Sequence, residues 1–166
     1  MSAVTLRMAV LAATVFLASS PAMATRIDPA DALAASEAAI GNATGEHRLL
    51  RADGTTLALS ALKGRPLVLS LVYTSCSAVC PTGTETLKVS VAKARKALGN
   101  EAFQVLTLGF DARNDTPQRM RMFAADHGID ADPLWHVASA SPAVLNALLD
   151  EVGFSYAGAA GGFEHV

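Results

Sequence analysis

The stretch Pro66-Leu67-Val68-Leu69-Ser70-Leu71-Val72-Tyr73 is apolar at nearly every position and runs straight into Thr74-Ser75-Cys76-Ser77-Ala78-Val79-Cys80-Pro81. A strand with one wet face alternates apolar and polar residues, so a continuous apolar run of this length predicts a strand of a parallel sheet covered on both faces. Downstream, Leu87, Val91, Ala94 and Leu98 recur at helical spacing before Gly99, and residues 103–110 form a second apolar run. Strand, helix, strand in that order predicts a parallel crossover. Thr116-Pro117 and Ser141-Pro142 each set a capping hydroxyl before a proline at the first helical position, the signature of a helix start. Between those two helices, residues 133–138 read as a third strand. The expected fold is α/β, a mixed sheet flanked by helices.

Upstream, Arg51-Ala52-Asp53-Gly54 separates two short apolar segments. Asp-Gly is a strong hairpin signal because glycine accepts positive φ, so a small antiparallel hairpin should open the domain. Ser60-Ala61-Leu62-Lys63-Gly64 reads as one helical turn closed by glycine. Residues 157–162 read as a flexible Gly/Ala loop ahead of Phe163-Glu164-His165-Val166. An α/β sheet rarely finishes in such a loop, so a terminal hairpin and helix are expected to be missing from the C-terminal end.

Residues 1–24 hold one charge, Arg7, then an apolar stretch and the small-residue pattern Ala22-Met23-Ala24. That is the layout of a secretory signal peptide. Its apolar stretch is about 11 residues, short of the ~20 that a spanning helix needs, though an uncleaved leader extended by its flanks would anchor the chain. Residues 25–44 are Ala-rich with scattered acids and read as a flexible lead-in, leaving residues 45–166 as one domain. Without Arg7 the 13 basic residues become 12 against 15 acidic ones, a net charge of −3. No dense basic stripe accompanies it, so nucleic acid is excluded as a partner.

Cys76 and Cys80 are the only cysteines. In an exported protein a structural disulfide, a redox pair and a soft-metal site all remain open. A spacing of four suits one helix face, but Pro81 disfavours helical geometry at Cys80, so the pair is expected in the strand-to-helix loop. There Cys80 would meet the positive end of a helix, which lowers a thiol's pKa and favours the thiolate. Two thiolates favour Cu(I), and an added imidazole suits Cu(II) or Zn(II) as well. Of the four histidines, His47 reads as a surface residue, His127 as a helix C-terminal residue and His136 as a satisfied strand residue. His165, after the glycine loop, is the candidate third ligand.

Leu59-Ser60-Ala61-Leu62-Lys63-Gly64-Arg65-Pro66, the segment from Tyr73 to Pro81, Asp111-Ala112-Arg113-Asn114-Asp115-Thr116-Pro117, Trp135 with residues 139–142, and Val152-Gly153-Phe154-Ser155-Tyr156 stand in an order and spacing that resembles the Sco/SenC family of copper-binding proteins. The resemblance implies a thioredoxin-like fold, with the family's two copper-binding cysteines at Cys76 and Cys80 and its distal histidine at His165. It implies a copper ion as cargo and a periplasmic or membrane-facing location. The role it implies is that of a metallochaperone delivering copper to the CuA site of cytochrome c oxidase subunit II, or to another periplasmic copper protein. An alternative role is a thiol–disulfide oxidoreductase that keeps partner cysteines reduced, with Cys76 and Cys80 as its redox pair. The chain departs from the family at Ser77-Ala78, often Pro-Asp, and at Glu164, often Asp. Asp111 and Asp115 match family acids, but capping and loop amides account for both without chemistry.

Overall fold

The computed structural model describes residues 26–76, 79–159 and 162–165. The leader read at residues 1–24 and the Ser77-Ala78 departure lie outside the described residues. Helix α1, Pro29–Ala38, falls within the expected lead-in, started by Asp28, whose carboxylate accepts the Ala30 amide at 2.8 Å. Strands β1, Arg48–Arg51, and β2, Thr56–Ala58, form the expected hairpin about the Asp-Gly turn. A 3-10 turn at Leu59–Leu62 follows.

The crossover is β3, Leu67–Val72, then α2, Val79–Leu98, then β4, Gln104–Gly109, with β3 and β4 parallel. Helix α3, Pro117–Asp126, leads to β5, Trp135–Ser139, and α4, Pro142–Glu151, comes next. Both proline starts are as read, with Thr116 and Ser141 as the capping hydroxyls. The sheet order is β2-β1-β5-β4-β3, with β4 parallel to β5 and β1 antiparallel to it.

The burial of the two apolar runs differs from expectation in one respect. Every residue of β4 is buried, as a strand covered on both faces should be. Strand β3 lies at the sheet border, has a strand partner on one side only among the described residues, and leaves Val68 37% exposed. Its apolar sequence therefore faces partly covered surface, because a border strand is sheltered only from its inner side. Val105, Leu106, Leu108 and Phe110 meet Met120 of α3 and Leu145, Leu148 and Leu149 of α4 in the core.

The loop expected at residues 157–162 is instead largely an antiparallel hairpin, β6 Tyr156–Ala159 and β7 Gly162–His165, with Tyr156 opposite His165. Glycine and alanine bring little strand propensity. Aromatic packing supplies what they lack: Tyr156 and Phe163 both meet Phe110 edge-on, with ring centroids 5.4 and 5.3 Å apart, the preferred geometry of such pairs. Among the described residues no helix is long and apolar enough to cross a membrane.

Candidate functional site

The cysteines stand where β3 gives way to α2, at the C-terminal edge of a parallel sheet, where open α/β sheets carry their sites. Cys76 is in the connecting loop, and its amide donates to the Tyr73 carbonyl at 3.1 Å. Cys80 is not in the loop as expected but in the first turn of α2. Pro81 is tolerated there because amides of a first turn have no intrahelical acceptor to lose.

The Cys80 amide donates to Cys76 Sγ at 3.3 Å. The helix start thus offers its unsatisfied N–H to the sulfur of the loop cysteine. Cys80 itself is only 7% exposed. Burial pushes its thiol up to about 11, helped by the neighbouring Cys76 and Asp115 and opposed by the Tyr73 amide, which points at the Cys80 sulfur. The expectation of a lowered Cys80 pKa is therefore corrected, since the loss of water outweighs the helix end at this depth. Both residues are thiols.

Two side chains that sequence reasoning did not place in the site hold it together. The first is Asp115, which takes no part in starting α3. Its Oδ1 accepts the Thr74 amide at 2.8 Å and the Thr74 hydroxyl at 2.7 Å, and its Oδ2 accepts the Asp111 amide at 2.8 Å. The loop after β4 is thereby tied to the residue two before Cys76. Desolvation still raises the Asp115 carboxyl above its ordinary value, against the pull of those three donors. Asp111 behaves as read, accepting the Arg113 amide and the Asn114 side-chain amide at 3.2 and 2.7 Å.

The second is Tyr73, 8% exposed. The neighbouring Cys76 side chain, and burial after it, push its phenol above the ordinary value, and a Cβ built at Gly162 would fall 2.7 Å from its hydroxyl. Its ring packs edge-on against Phe163 at 5.2 Å and Phe110 at 5.3 Å. No spacing in the sequence announces the Asp115–Thr74 tie or the Tyr73–Phe163 contact, because each joins residues far apart in the chain.

His165 is exposed at the end of β7, stacked near Phe154 at 5.9 Å. With Cys80, Ser70, Val72 and Leu87 it lines one open groove of about 320 Å³ beside β3. The fold thus brings His165 to the cysteine end of the sheet. Among the described residues no three of His, Cys, Asp and Glu converge closely enough to hold a metal ion.

The other histidines are accounted for by the fold. His47, expected at the surface, is 8% exposed, and its Nε2 meets Glu151 Oε2 at 2.8 Å. It is buried because the hairpin packs against the end of α4. His127 is the α3 C-cap as read, with Nδ1 2.8 Å from Glu85 Oε1. His136 contacts Arg51 Nη1 at 3.3 Å and Gln104 Oε1 at 3.1 Å, and burial beside that guanidinium lowers its pKa. An imidazole that accepts from arginine and donates to glutamine is satisfied while neutral.

A mixed sheet whose parallel crossover carries two thiols at the strand-to-helix junction defines a thioredoxin-like dithiol protein. The SCO1/SenC family model matches residues 35–134, more than half of the chain. The chain belongs to the SCO1/SenC family.

The SCO1 protein homolog of Bacillus subtilis (strain 168) is 29% identical over 80 residues, which span 48% of this chain and 40% of that relative. A solved protein of Aquifex aeolicus VF5 is 34% identical, with a TM-score of 0.63 over 75% of this chain and 72% of its own. Arabidopsis thaliana ScoI, solved with copper bound, shares the fold at 20% identity and a TM-score of 0.63, covering 73% of this chain and 74% of its own.

Proposed function

We propose that this protein is a copper metallochaperone whose domain, residues 45–166, carries Cu(I) on the sulfurs of Cys76 and Cys80 and the imidazole of His165. The observation that supports this most is the open groove at the border of β3, which Cys80 and His165 both line although 85 positions separate them in the chain. Cys76 adjoins through the Cys80 amide. Two soft sulfur donors with one imidazole suit Cu(I), and copper-bound Arabidopsis ScoI shares the fold. The groove is open, so a partner's thiolates could take the ion by ligand exchange. The recipient we infer is the CuA site of cytochrome c oxidase subunit II or another periplasmic copper protein, with residues 1–24 exporting or anchoring the chain.

Holding the ion requires that Cys80 give up its proton, because the thiolate is the ligand. Binding is therefore proton-releasing, and His165 must move toward the sulfurs to complete the site.

The test is titration of the reduced full chain with Cu(I) against a chromophoric competitor. One ion per chain is expected, with affinity weakened by His165→Ala and abolished by Cys76→Ser. Equal affinity of His165→Ala and the parent removes the histidine from the site, and absence of binding by the parent overturns the reading.

A second reading, thiol–disulfide oxidoreductase, is favoured by the unequal burial of the pair. The more accessible Cys76 would attack a partner disulfide, and Cys80 would resolve the mixed disulfide, leaving Cys76–Cys80 oxidised and the partner reduced. Catalysed reduction of a disulfide substrate, abolished by Cys76→Ser and unaffected by His165→Ala, separates it from the first.

A further inference from the structure

Strand β3 has one edge without a strand partner among the described residues. The Pro66 and Val72 carbonyls accept from the Gln104 and Phe110 amides at 2.9 and 2.8 Å, which fixes the groups that face this edge. Backbone groups of successive residues turn to opposite sides of a strand, so Val68, Ser70 and Val72 turn theirs toward β4 and Leu67, Leu69 and Leu71 turn theirs outward. Border strands are ordinarily blunted by a charge, a proline or extreme shortness. The 6 residues of Leu67–Val72 include neither charge nor proline. Both faces of the strand are flanked by open concavities. On one, Leu67 and Leu69 with Leu106, Leu148 and Val152 line about 280 Å³. On the other lies the groove of about 320 Å³ that runs from Val68 to Cys80 and His165. A strand added at this edge therefore meets apolar walls above and below, and must itself be apolar on both faces.

We propose that the open edge of β3 is a docking surface for β3 of a second copy of this chain, the two strands pairing antiparallel about a two-fold axis at Leu69. Strands β1 and β7 carry charges, β2 and β6 carry Thr or Gly, and β4 and β5 are already paired on both sides. That leaves β3 as the described strand that is apolar on both faces and open along one edge. In this register Leu69 faces Leu69 and Leu67 faces Leu71. These are the residues whose N–H and C=O point outward, so each pair exchanges both of its hydrogen bonds. Charge sets the direction. Lys63 and Arg65 precede the strand, while Glu164, exposed on β7, follows Phe163, which packs on Tyr73 at the other end. Antiparallel pairing sets Arg65 opposite Tyr73 and brings each basic end toward the other copy's Glu164, whereas parallel pairing sets like charges together. The partners that Lys63 and Arg65 now hold, Glu46 and Glu101, are exposed, and such pairs are readily exchanged because they contribute little. The contact is the same patch on both copies, so it closes at two. Val68 and Ser70 of the second copy become the outer wall of the groove that Cys80 and His165 line, so the dimer covers this groove and the monomer opens it.

The experiment combines sedimentation equilibrium with amide hydrogen exchange on the reduced, metal-free full chain. Twice the chain mass is expected at high concentration and the single mass on dilution. As the dimer forms, exchange at the Leu67, Leu69 and Leu71 amides should slow by roughly tenfold, the equivalent of about one hydrogen bond each. The Val68, Ser70 and Val72 amides, turned toward β4, should stay slow at every concentration. Leu69→Lys sets two like charges face to face and should leave a monomer, as should Leu69→Glu. An equimolar mixture of the two should restore the dimer, which a misfolded variant would not do. Val68→Lys, at a position 37% exposed, serves if the Leu69 variants fail to fold: it puts a charge on the groove wall of the other copy and should weaken association. The proposal is overturned by a single mass at all concentrations, or by slow Leu67, Leu69 and Leu71 amides in the monomer, which mean that another part of the chain covers the edge. Growth beyond two copies overturns it as well, as does association that survives both Leu69→Lys and Val68→Lys, the result expected if residues 1–24 hold the copies together. The readouts need no copper, so their failure leaves the metallochaperone reading standing, and failure to bind Cu(I) leaves this one.

Discussion

Burial of Cys80 sets up a quantitative difference between two thiols four residues apart. Its pKa is pushed from an ordinary 9.0 up to about 11, chiefly by desolvation. At pH 8 an ordinary thiol is about one-tenth thiolate, whereas one at 11 is about one-thousandth, so Cys80 should react about 100-fold more slowly than an unhindered thiol. The assay is alkylation of the reduced, metal-free chain by iodoacetamide, with each cysteine read separately by peptide mass. Cys76 should be modified first, and the Cys80 rate should climb roughly tenfold per pH unit up to about pH 11. The Cys76→Ser variant removes one neighbour that raises Cys80 but not the burial, which is the larger cause, so Cys80 should speed up by less than the full 100-fold. The same proton is linked to stability. A folded-state pKa above the unfolded one means that the folded protein holds the proton more tightly, so the contribution is intact below about pH 9. It is lost as pH rises from about 9 to 11. Equal alkylation rates for the two cysteines at pH 8, with a Cys80 profile levelling off near pH 9, refute the reasoning, because they require a Cys80 that water reaches.

Gly109→Ala should destabilise the fold by about 1–3 kcal/mol in urea unfolding, since its Cβ would lie 2.5 Å from Asp115 Cβ and 2.7 Å from Met120 Sδ. Asp115→Ala should cost roughly 2–4 kcal/mol by leaving the buried Asp111 amide and the Thr74 donors unpaired. A double-mutant cycle with Thr74→Val should show coupling well above the additive expectation, and strict additivity would sink the tie. Glu151 is held below its ordinary pKa by the Gly45 amide first and His47 second, so its contribution is present above pH 4.5 and is lost as pH falls further. Glu151→Gln should lower the melting temperature at pH 7 and flatten the acid side of the stability profile, a change absent if the contact does not form in solution.

The order of elements was legible because each is marked locally. Asp53-Gly54 marks the first hairpin, Thr116-Pro117 and Ser141-Pro142 mark helix starts, and the period of Leu87, Val91 and Ala94 marks α2. What the sequence did not reveal has a common character. The β6–β7 hairpin is built from residues of low strand propensity and is held by Phe110, some fifty positions away in the chain. The burial of His47 depends on Glu151 at the far end of α4, and the exposure of β3 depends on its rank in the sheet. Composition and periodicity report on the neighbours along the chain, so they say little about which apolar strand lies at the centre and which at the border.

The candidate site divides along the same line. That Cys76 and Cys80 lie at the mouth of a strand-to-helix junction follows from an apolar run and a proline, and the structure agrees. How their chemistry is biased does not follow, because a helix N-terminus lowers a thiol's pKa while burial raises it, and only depth decides between them. Here the bias is split: the loop sulfur of Cys76 receives an amide, and the helical sulfur of Cys80 is withdrawn from water. A proton held that firmly protects Cys80 from chance oxidation, since thiolate character governs oxidation, yet a soft cation presented by a partner can still displace it. On the proposed reading the same desolvation therefore keeps the metal-free site intact in an oxidising compartment and makes loading a proton-coupled step.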